Sequence, residues 1–375
     1  MQNLRWAFLA FILLAGCGKD KPVAVVQKSR NLMEAASGLE LYDYDGYSVV
    51  RVLEPWPGAK RSYTYVLRQK NGKVPDSLRS YTTVDVPIRS IVATSTTHIP
   101  SLEMLHVENM LVGFPNTRYI SSERTRARIE SGKVKELGGN RDLDTEAVID
   151  LHPDVVMGNG IDDHNPGYDN LMRAGIPVLL NGDWNEKTPL GRAEWIKLFG
   201  VLFGKEAEAQ RLFRQIRSDY NAIRQTAMAA KHRPTVLVGA MYEDVWNLPQ
   251  GNSWGALFIA DAGGDYLWKD ASGTGSLQLP FERVFERGQN ADFWIGPGQF
   301  ASFAELDAAS AHYREFRSYK ERNIFSFSSR KGKTGGILYY ELASNRPDLV
   351  LKDLVSILHP ELMPGYQPVF FDRLR

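Results

Sequence analysis

The sequence predicts an α/β protein of two lobes, each a mainly parallel sheet with flanking helices, joined by one long helix. Three observations lead there. Short apolar strands alternate with helices in both halves of the chain, the pattern of parallel sheets covered on both faces. Residues 205–229 break that rhythm: Ala209, Leu212, Phe213, Ile216, Tyr220 and Ile223 recur at three- and four-residue steps, with no glycine or proline between them. A chain of 375 residues is also too long for one ordinary core.

The elements follow in order. Arg5 precedes an apolar run from Trp6 to Ala15, and the small residues Ala15 and Gly16 stand before Cys17, the only cysteine. This is the layout of a signal peptide, and the run is too short to span a bilayer. "LAGC" is similar to a bacterial lipobox, so Cys17 is expected to carry lipid and to hold the mature protein on a membrane. Residues 1–17 are then the signal peptide and the polar residues 18–40 a tether. The body opens with the strands "YSVVRVL" and "SYTYVLR", separated by Pro57 and Gly58. A β-branched strand ends near Ala93, and a Thr/Ser cluster leads into a helix from about Pro100. "LDTEAVIDLHPDVVMGNG" reads as helix, turn and buried strand, and "LMRAGIPVLLNGDW" repeats the unit. Residues 41–190 are assigned to the first lobe and 191–231 to a linking helical segment. Pro234 ends that segment, and residues 232–375 form the second lobe, with "TVLVGAM" as its first strand and "RPDLVLKDLVSILHP" as its last helix.

Composition narrows the function. A formal net charge of +1 gives no reason to expect nucleic acid as a partner. The seven histidines and single cysteine show no metal-ligand spacing, and no phosphate-binding loop is present, so no resident metal or cofactor is expected. Gly251-Asn252-Ser253-Trp254-Gly255 matches G-x-S-x-G and raises a serine hydrolase using Ser253 as the alternative from another class. However, Pro249 and Gln250 stand where that motif needs a strand running into the serine.

The order of "DTEAVIDLHPDVV", the helix at 205–229, "ADAGGDYLW", "FERVFE…NADFWI" and "NRPDLVLKDLVSILHPEL" resembles the class III periplasmic substrate-binding proteins of ABC importers, which carry iron–siderophore, haem or cobalamin. The resemblance covers roughly residues 85–375. It implies two Rossmann-like lobes bridged by a helix, a monomer without enzymatic activity, and a location in the periplasm or at the cell surface. It also implies an ABC permease partner with its own ATPase. Glu146 and Glu282 match the family's permease-docking glutamates, each at the start of a helix where the dipole favours a carboxylate. Any metal is expected to arrive wrapped in an organic chelator. Ligands of open α/β sheets lie beyond the carboxyl ends of strands, which makes Trp184, Tyr242, Trp246 and Trp254 an aromatic wall. Tyr119 and Arg124, with Arg126 and Arg128, would face that wall and suit the anionic oxygens of a ferric siderophore. Asn116, Asn140 and Asn181 keep cobalamin as the close alternative, followed by haem.

Overall fold

The computed structural model describes residues 30–140, 142–160 and 164–375. Cys17 and residues 18–29 of the expected tether lie outside them. The tether expectation needs correcting at its other end, because residues 34–38 are pinned to the body. The Glu194 carboxylate accepts the backbone N–H groups of Glu34, Ala35 and Ala36, and Glu186 accepts those of Ser37 and Gly38.

The chain then builds a four-stranded sheet in the order β1-β2-β3-β4: β1 (Leu39–Tyr44), β2 (Tyr47–Val52), β3 (Tyr63–Gln69) and β4 (Thr82–Val86). The first three pair antiparallel and β4 joins β3 in parallel. Gly46 turns the first hairpin at φ 82°, and a Cβ there would come within 2.8 Å of the Gly72 backbone.

Lobe 1 follows with β5 (Ile91–Ala93), β6 (Leu111–Phe114), β7 (Lys135–Glu136), β8 (Val155–Asn159) and β9 (Val178–Asn181). Between them run α1 (His98–Met104), α2 (Glu123–Glu130), α3 (Thr145–Leu151) and α4 (Pro166–Arg173). The strands order as β7-β6-β5-β8-β9, all parallel. This is a doubly wound sheet that reverses direction between β5 and β8, the place where such sheets bind ligands. Local chemistry sets the helix starts. Asp144 caps α3 by accepting from the Ala147 N–H at 2.9 Å, and Pro166 opens α4 behind the Asn165 cap.

Helices α5 (Pro189–Glu194), α6 (Ile196–Phe203) and α7 (Glu206–Met228) lead out of lobe 1. The apolar stripe of α7 divides between two cores. Ala209, Phe213 and Ile216 pack with lobe 1, whereas Tyr220 and Ala227 pack with lobe 2. At about 1.5 Å per residue, α7 spans roughly 34 Å.

Lobe 2 carries β10 (Thr235–Val238), β11 (Ala240–Tyr242), β12 (Val245–Pro249), β13 (Asp265–Tyr266), β14 (Ser276–Leu279), β15 (Phe293–Ile295), β16 (Ile324–Ser326) and β17 (Asp372–Arg373). Its helices are α8 (Trp254–Asp261), α9 (Phe281–Gly288), α10 (Phe303–Ala309), α11 (Arg317–Lys320), α12 (Leu338–Leu342) and α13 (Pro347–Leu358). The main sheet orders as β13-β10-β15-β16-β17, parallel except for β17, and β11-β12-β14 form a separate antiparallel sheet.

Candidate functional site

The carboxyl ends of the lobe 1 strands meet segments of lobe 2 along one seam. After β5, the Thr97 carbonyl accepts from Asn345 Nδ2 at 2.7 Å, and Ser101 Oγ on α1 donates to Asn345 Oδ1 at 2.7 Å. After β6, the N–H groups of Ser121 and Ser122 donate to the Glu341 carboxylate at 2.5 and 3.0 Å. Nearby, Thr334 Oγ1 donates to the Arg118 carbonyl at 2.7 Å. After β9 the chain reaches Arg192 on α5, whose guanidinium lies 4.0 Å from the Trp254 ring of lobe 2.

Arg192 is the centre of this seam. It donates to the carbonyls of Trp184 and Glu186, which hold it beside the indole. Desolvation pulls its pKa down to about 10, against the upward pull of Asp183, so it stays a cation at neutral pH. A guanidinium over an indole in such surroundings is a strong electrostatic contact. Behind Trp254 the aromatic wall continues. Tyr339 stacks on Trp254 with centroids 6.1 Å apart, and Phe327 stacks on Tyr339 at 4.5 Å. Asp183 is buried, and burial pushes its carboxyl up to about 6 despite a hydrogen bond from Thr97 and the charge of Arg192.

Polar atoms gather at the ends of β8 and β9. Asn159 and Asn181 are register partners on these adjacent strands. Asn159 Oδ1, Asn181 Nδ2 and Asp183 Oδ1 are buried with no hydrogen-bond partner among the described residues. Buried polar atoms are nearly always satisfied, and two of these residues, Asp183, whose charge acts on Arg192, and Asn181, which accepts the Asp183 N–H, lie beside the Arg–aromatic seam.

The residues expected from sequence fall unevenly around it. Trp254 stands in the seam. Trp184 reaches it through its carbonyl, while its indole Nε1 donates to the Gly160 carbonyl at 3.2 Å. Trp246 is a correction. It is 0% exposed, stacked on Trp294 at 5.3 Å, and cannot touch a ligand. It sits on β12, the central strand of the small sheet, and packs inward. Tyr242 projects from the β11–β12 hairpin, 73% exposed. Arg124 is half-exposed on α2, its guanidinium paired within lobe 1 with Glu108 at 3.2 Å and donating to the Glu103 carbonyl. Arg126 and Arg128 likewise donate to the carbonyls of Thr117 and Asn109. Tyr119 lies at the seam by its backbone, its ring exposed under the Arg118 guanidinium at 4.8 Å. Asn116 uses its backbone N–H on Glu136. Ser253 is buried and caps α8, its Oγ accepting from the Ala256 N–H at 3.3 Å. Glu146 and Glu282 are exposed in the first turns of α3 and α9. Sequence reasoning missed Arg192. The strand-end rule covers residues 182–186, but only the short Thr188-capped helix folds the arginine back onto them.

Residues 91–326, more than half of the chain, match the family described as periplasmic binding protein. An uncharacterised lipoprotein of Methanocaldococcus jannaschii is 25% identical over 403 residues, covering 96% of this chain and 92% of the relative. A periplasmic haem-binding protein from Pseudomonas aeruginosa shares the fold with a TM-score of 0.57 at 17% identity, over 77% of this chain and 98% of that one. The molybdate periplasmic binding protein of a Haemophilus influenzae ABC transporter does so with a TM-score of 0.56 at 16% identity, over 75% and 89%. Two doubly wound lobes share one long helix, the family match covers more than half of the chain, and the chain belongs to the periplasmic binding protein family.

Proposed function

We propose that the chain captures an organic metal chelate between its lobes and delivers it to the permease of an ABC importer, without catalysis of its own. A ferric siderophore ranks first as cargo, ahead of cobalamin and haem. The observation that carries this reading is Arg192, a desolvated cation 4.0 Å from the Trp254 ring, beside the unsatisfied polar atoms of Asn181 and Asp183. A fixed, forked cation suits carboxylate or hydroxamate oxygens, and the Trp254–Tyr339–Phe327 wall suits the organic shell around a metal. Haem and molybdate, the ligands named for two proteins of the same fold, are consistent with a metal-bearing cargo. Glu146 and Glu282 present exposed carboxylates on rigid helix starts, one per lobe, for arginines of the permease. Cys17 carries the lipid that keeps the protein at the membrane, and Cys17→Ala protein is expected to leave the membrane fraction without lipid mass.

The cargo is tested by tryptophan fluorescence titration of the mature protein with a ferric hydroxamate siderophore, cyanocobalamin and hemin. The siderophore is expected to quench most tightly, and Arg192→Ala to weaken it at least about tenfold, as loss of a charged hydrogen bond implies. Tight binding of cyanocobalamin alone would reverse the ranking. Quenching by none of the three would end the cargo assignment.

A further inference from the structure

A cavity of about 480 Å³ lies away from the seam, between the N-terminal sheet and the β9 edge of lobe 1. Its size falls in the range of small-molecule sites. The inner wall belongs to lobe 1: Val178 and Leu180 of β9, with Tyr168 and Met172 of α4. The outer wall comes from Trp56, Arg61, Tyr63 and Tyr65, all of which lie before residue 91, where the family match begins. The N-terminal sheet therefore adds a second wall to the β9 edge of lobe 1 and makes a half-open cavity of it.

The two walls are firmly joined. Tyr65 Oη accepts the Leu180 N–H at 3.0 Å, which satisfies an edge strand that would otherwise offer its backbone to solvent. Trp56 is buried against Gly160, where any Cβ would come within 2.7 Å of the indole. Covering an edge needs only backbone and apolar groups, yet this cover is aromatic and carries a cation. Trp56 and Tyr63 meet at 5.8 Å and 60°, forming a corner of two ring faces. Arg61 lies 4.8 Å over the Tyr63 ring, with its Nε bonded to Tyr63 Oη at 2.9 Å, so its position at the rim is set. From the α4 side the rim adds the Asp169 carboxylate and His164, both exposed. Asn159 Oδ1, a buried acceptor without a partner among the described residues, belongs to a residue of the same lining.

We infer that this cavity is a second ligand site, for a small aromatic anion that also carries a hydrogen-bond donor. The rings take the aromatic body, Arg61 takes the acidic group, and Asp169 or Asn159 takes the donor. The site is separate from the cargo seam but in contact with it. Tyr168 Oη lies 3.2 Å from Thr94 Oγ1, which accepts the Asn159 N–H at 2.7 Å, and Gly160 holds the Trp184 indole.

Two dyes with one aromatic skeleton test this. 8-Anilinonaphthalene-1-sulfonate has an anion and a donor, whereas N-phenyl-1-naphthylamine lacks the anion. Both are titrated into Arg192→Ala protein, in which the seam has lost its cation. The sulfonate dye is expected to bind at one site per chain, and adding Arg61→Ala to weaken it about tenfold while leaving the neutral dye unchanged. Met172→Trp, placed at the exposed lip, is expected to exclude both. Near-ultraviolet circular dichroism checks that each variant is folded. No saturable binding in the Arg192→Ala background would overturn the inference, as would binding indifferent to both Arg61→Ala and Met172→Trp. Dye release by self-association at higher protein concentration would overturn it in favour of a contact between copies. None of these outcomes bears on whether a chelate occupies the seam.

Discussion

Glu341 is a carboxylate from lobe 2 buried against lobe 1, and its cost can be read from pH. The side chain is 3% exposed and accepts two N–H groups at the start of α2. Burial nevertheless outweighs those bonds and pushes its pKa from 4.5 up to about 7. At about 1.4 kcal/mol per pH unit, this displacement is worth about 3 kcal/mol. A folded value above the unfolded one means that the folded state holds the proton more tightly. The stabilisation is full below about pH 4.5 and is lost as pH rises through about 7. Asp183 acts in the same direction, with its carboxyl pushed up to about 6, and so does Asp353, which burial also raises. His98 acts oppositely. Burial pulls it down to about 3, so its contribution is lost as pH falls below its ordinary 6.5.

The wild-type profile is therefore a composite, and the difference from Glu341→Gln isolates the one group. The amide keeps the shape and one acceptor but cannot ionise. Unfolding free energies from urea titrations are expected to favour the variant progressively from about pH 5 to about pH 8, by up to about 3 kcal/mol. Hydrogen exchange gives an independent reading. The Ser121 and Ser122 amides are expected to exchange faster in the variant at acid pH, where wild-type and variant charges match but one acceptor is lost. Profiles that stay parallel within about 0.5 kcal/mol across this range would refute the reasoning.

Three further outcomes follow from the geometry. Trp246→Ala removes a fully buried indole and is expected to cost about 3–5 kcal/mol, while Tyr242→Ala on the exposed hairpin stays within about 0.5 kcal/mol. The same urea titrations compare them, and equal costs would contradict the burial assignment. Glu146→Arg combined with Glu282→Arg is expected to abolish uptake and permease binding in reconstituted vesicles with cargo affinity unchanged, and normal uptake would sink the docking role. Small-angle scattering is expected to show little compaction on adding cargo, and a large fall in radius of gyration would contradict a stiff linkage.

The sequence shows most of the fold because its signals are local. The α7 stripe is a periodicity, and the strand–turn–helix units carry their own caps and prolines. Trp246 and Trp254 look alike on the same terms, since both follow the strand at 235–241. What separates them is the β11–β12 hairpin, which turns Trp246 back onto Trp294 within the lobe 2 core. The arginines of "ERTRAR" sit on a helix whose neighbours supply Glu108 and four carbonyls, partners that no spacing along the chain reveals. The N-terminal strands are legible as strands, but their seat is not. Tyr65 and Leu180 are 115 residues apart, and nothing at either position announces the other.

The linkage between the lobes sets where the side chains proposed to hold the cargo lie. Ala209, Phe213 and Ile216 bury one half of α7 in lobe 1, and Tyr220 and Ala227 bury the other in lobe 2. Rotating the lobes apart would break helix hydrogen bonds or pull an apolar side chain from a core, whereas loop hinges absorb such motion at little cost. The segment from Gly332 to Asn345 adds a second restraint, since Gly332 and Gly336 lie so close to Ser121 and Tyr119 that any Cβ would collide with their backbone. With the lobes held this way, affinity cannot come mainly from closing a wide cleft. On the proposed function it comes from groups already in place, and a cation over an indole beside the unsatisfied atoms of Asn181 and Asp183 is such a group. Arg192, proposed above to serve that purpose, stands on α5, in the link between the lobes. Its guanidinium reaches Trp254 across the seam without any movement of lobe 2.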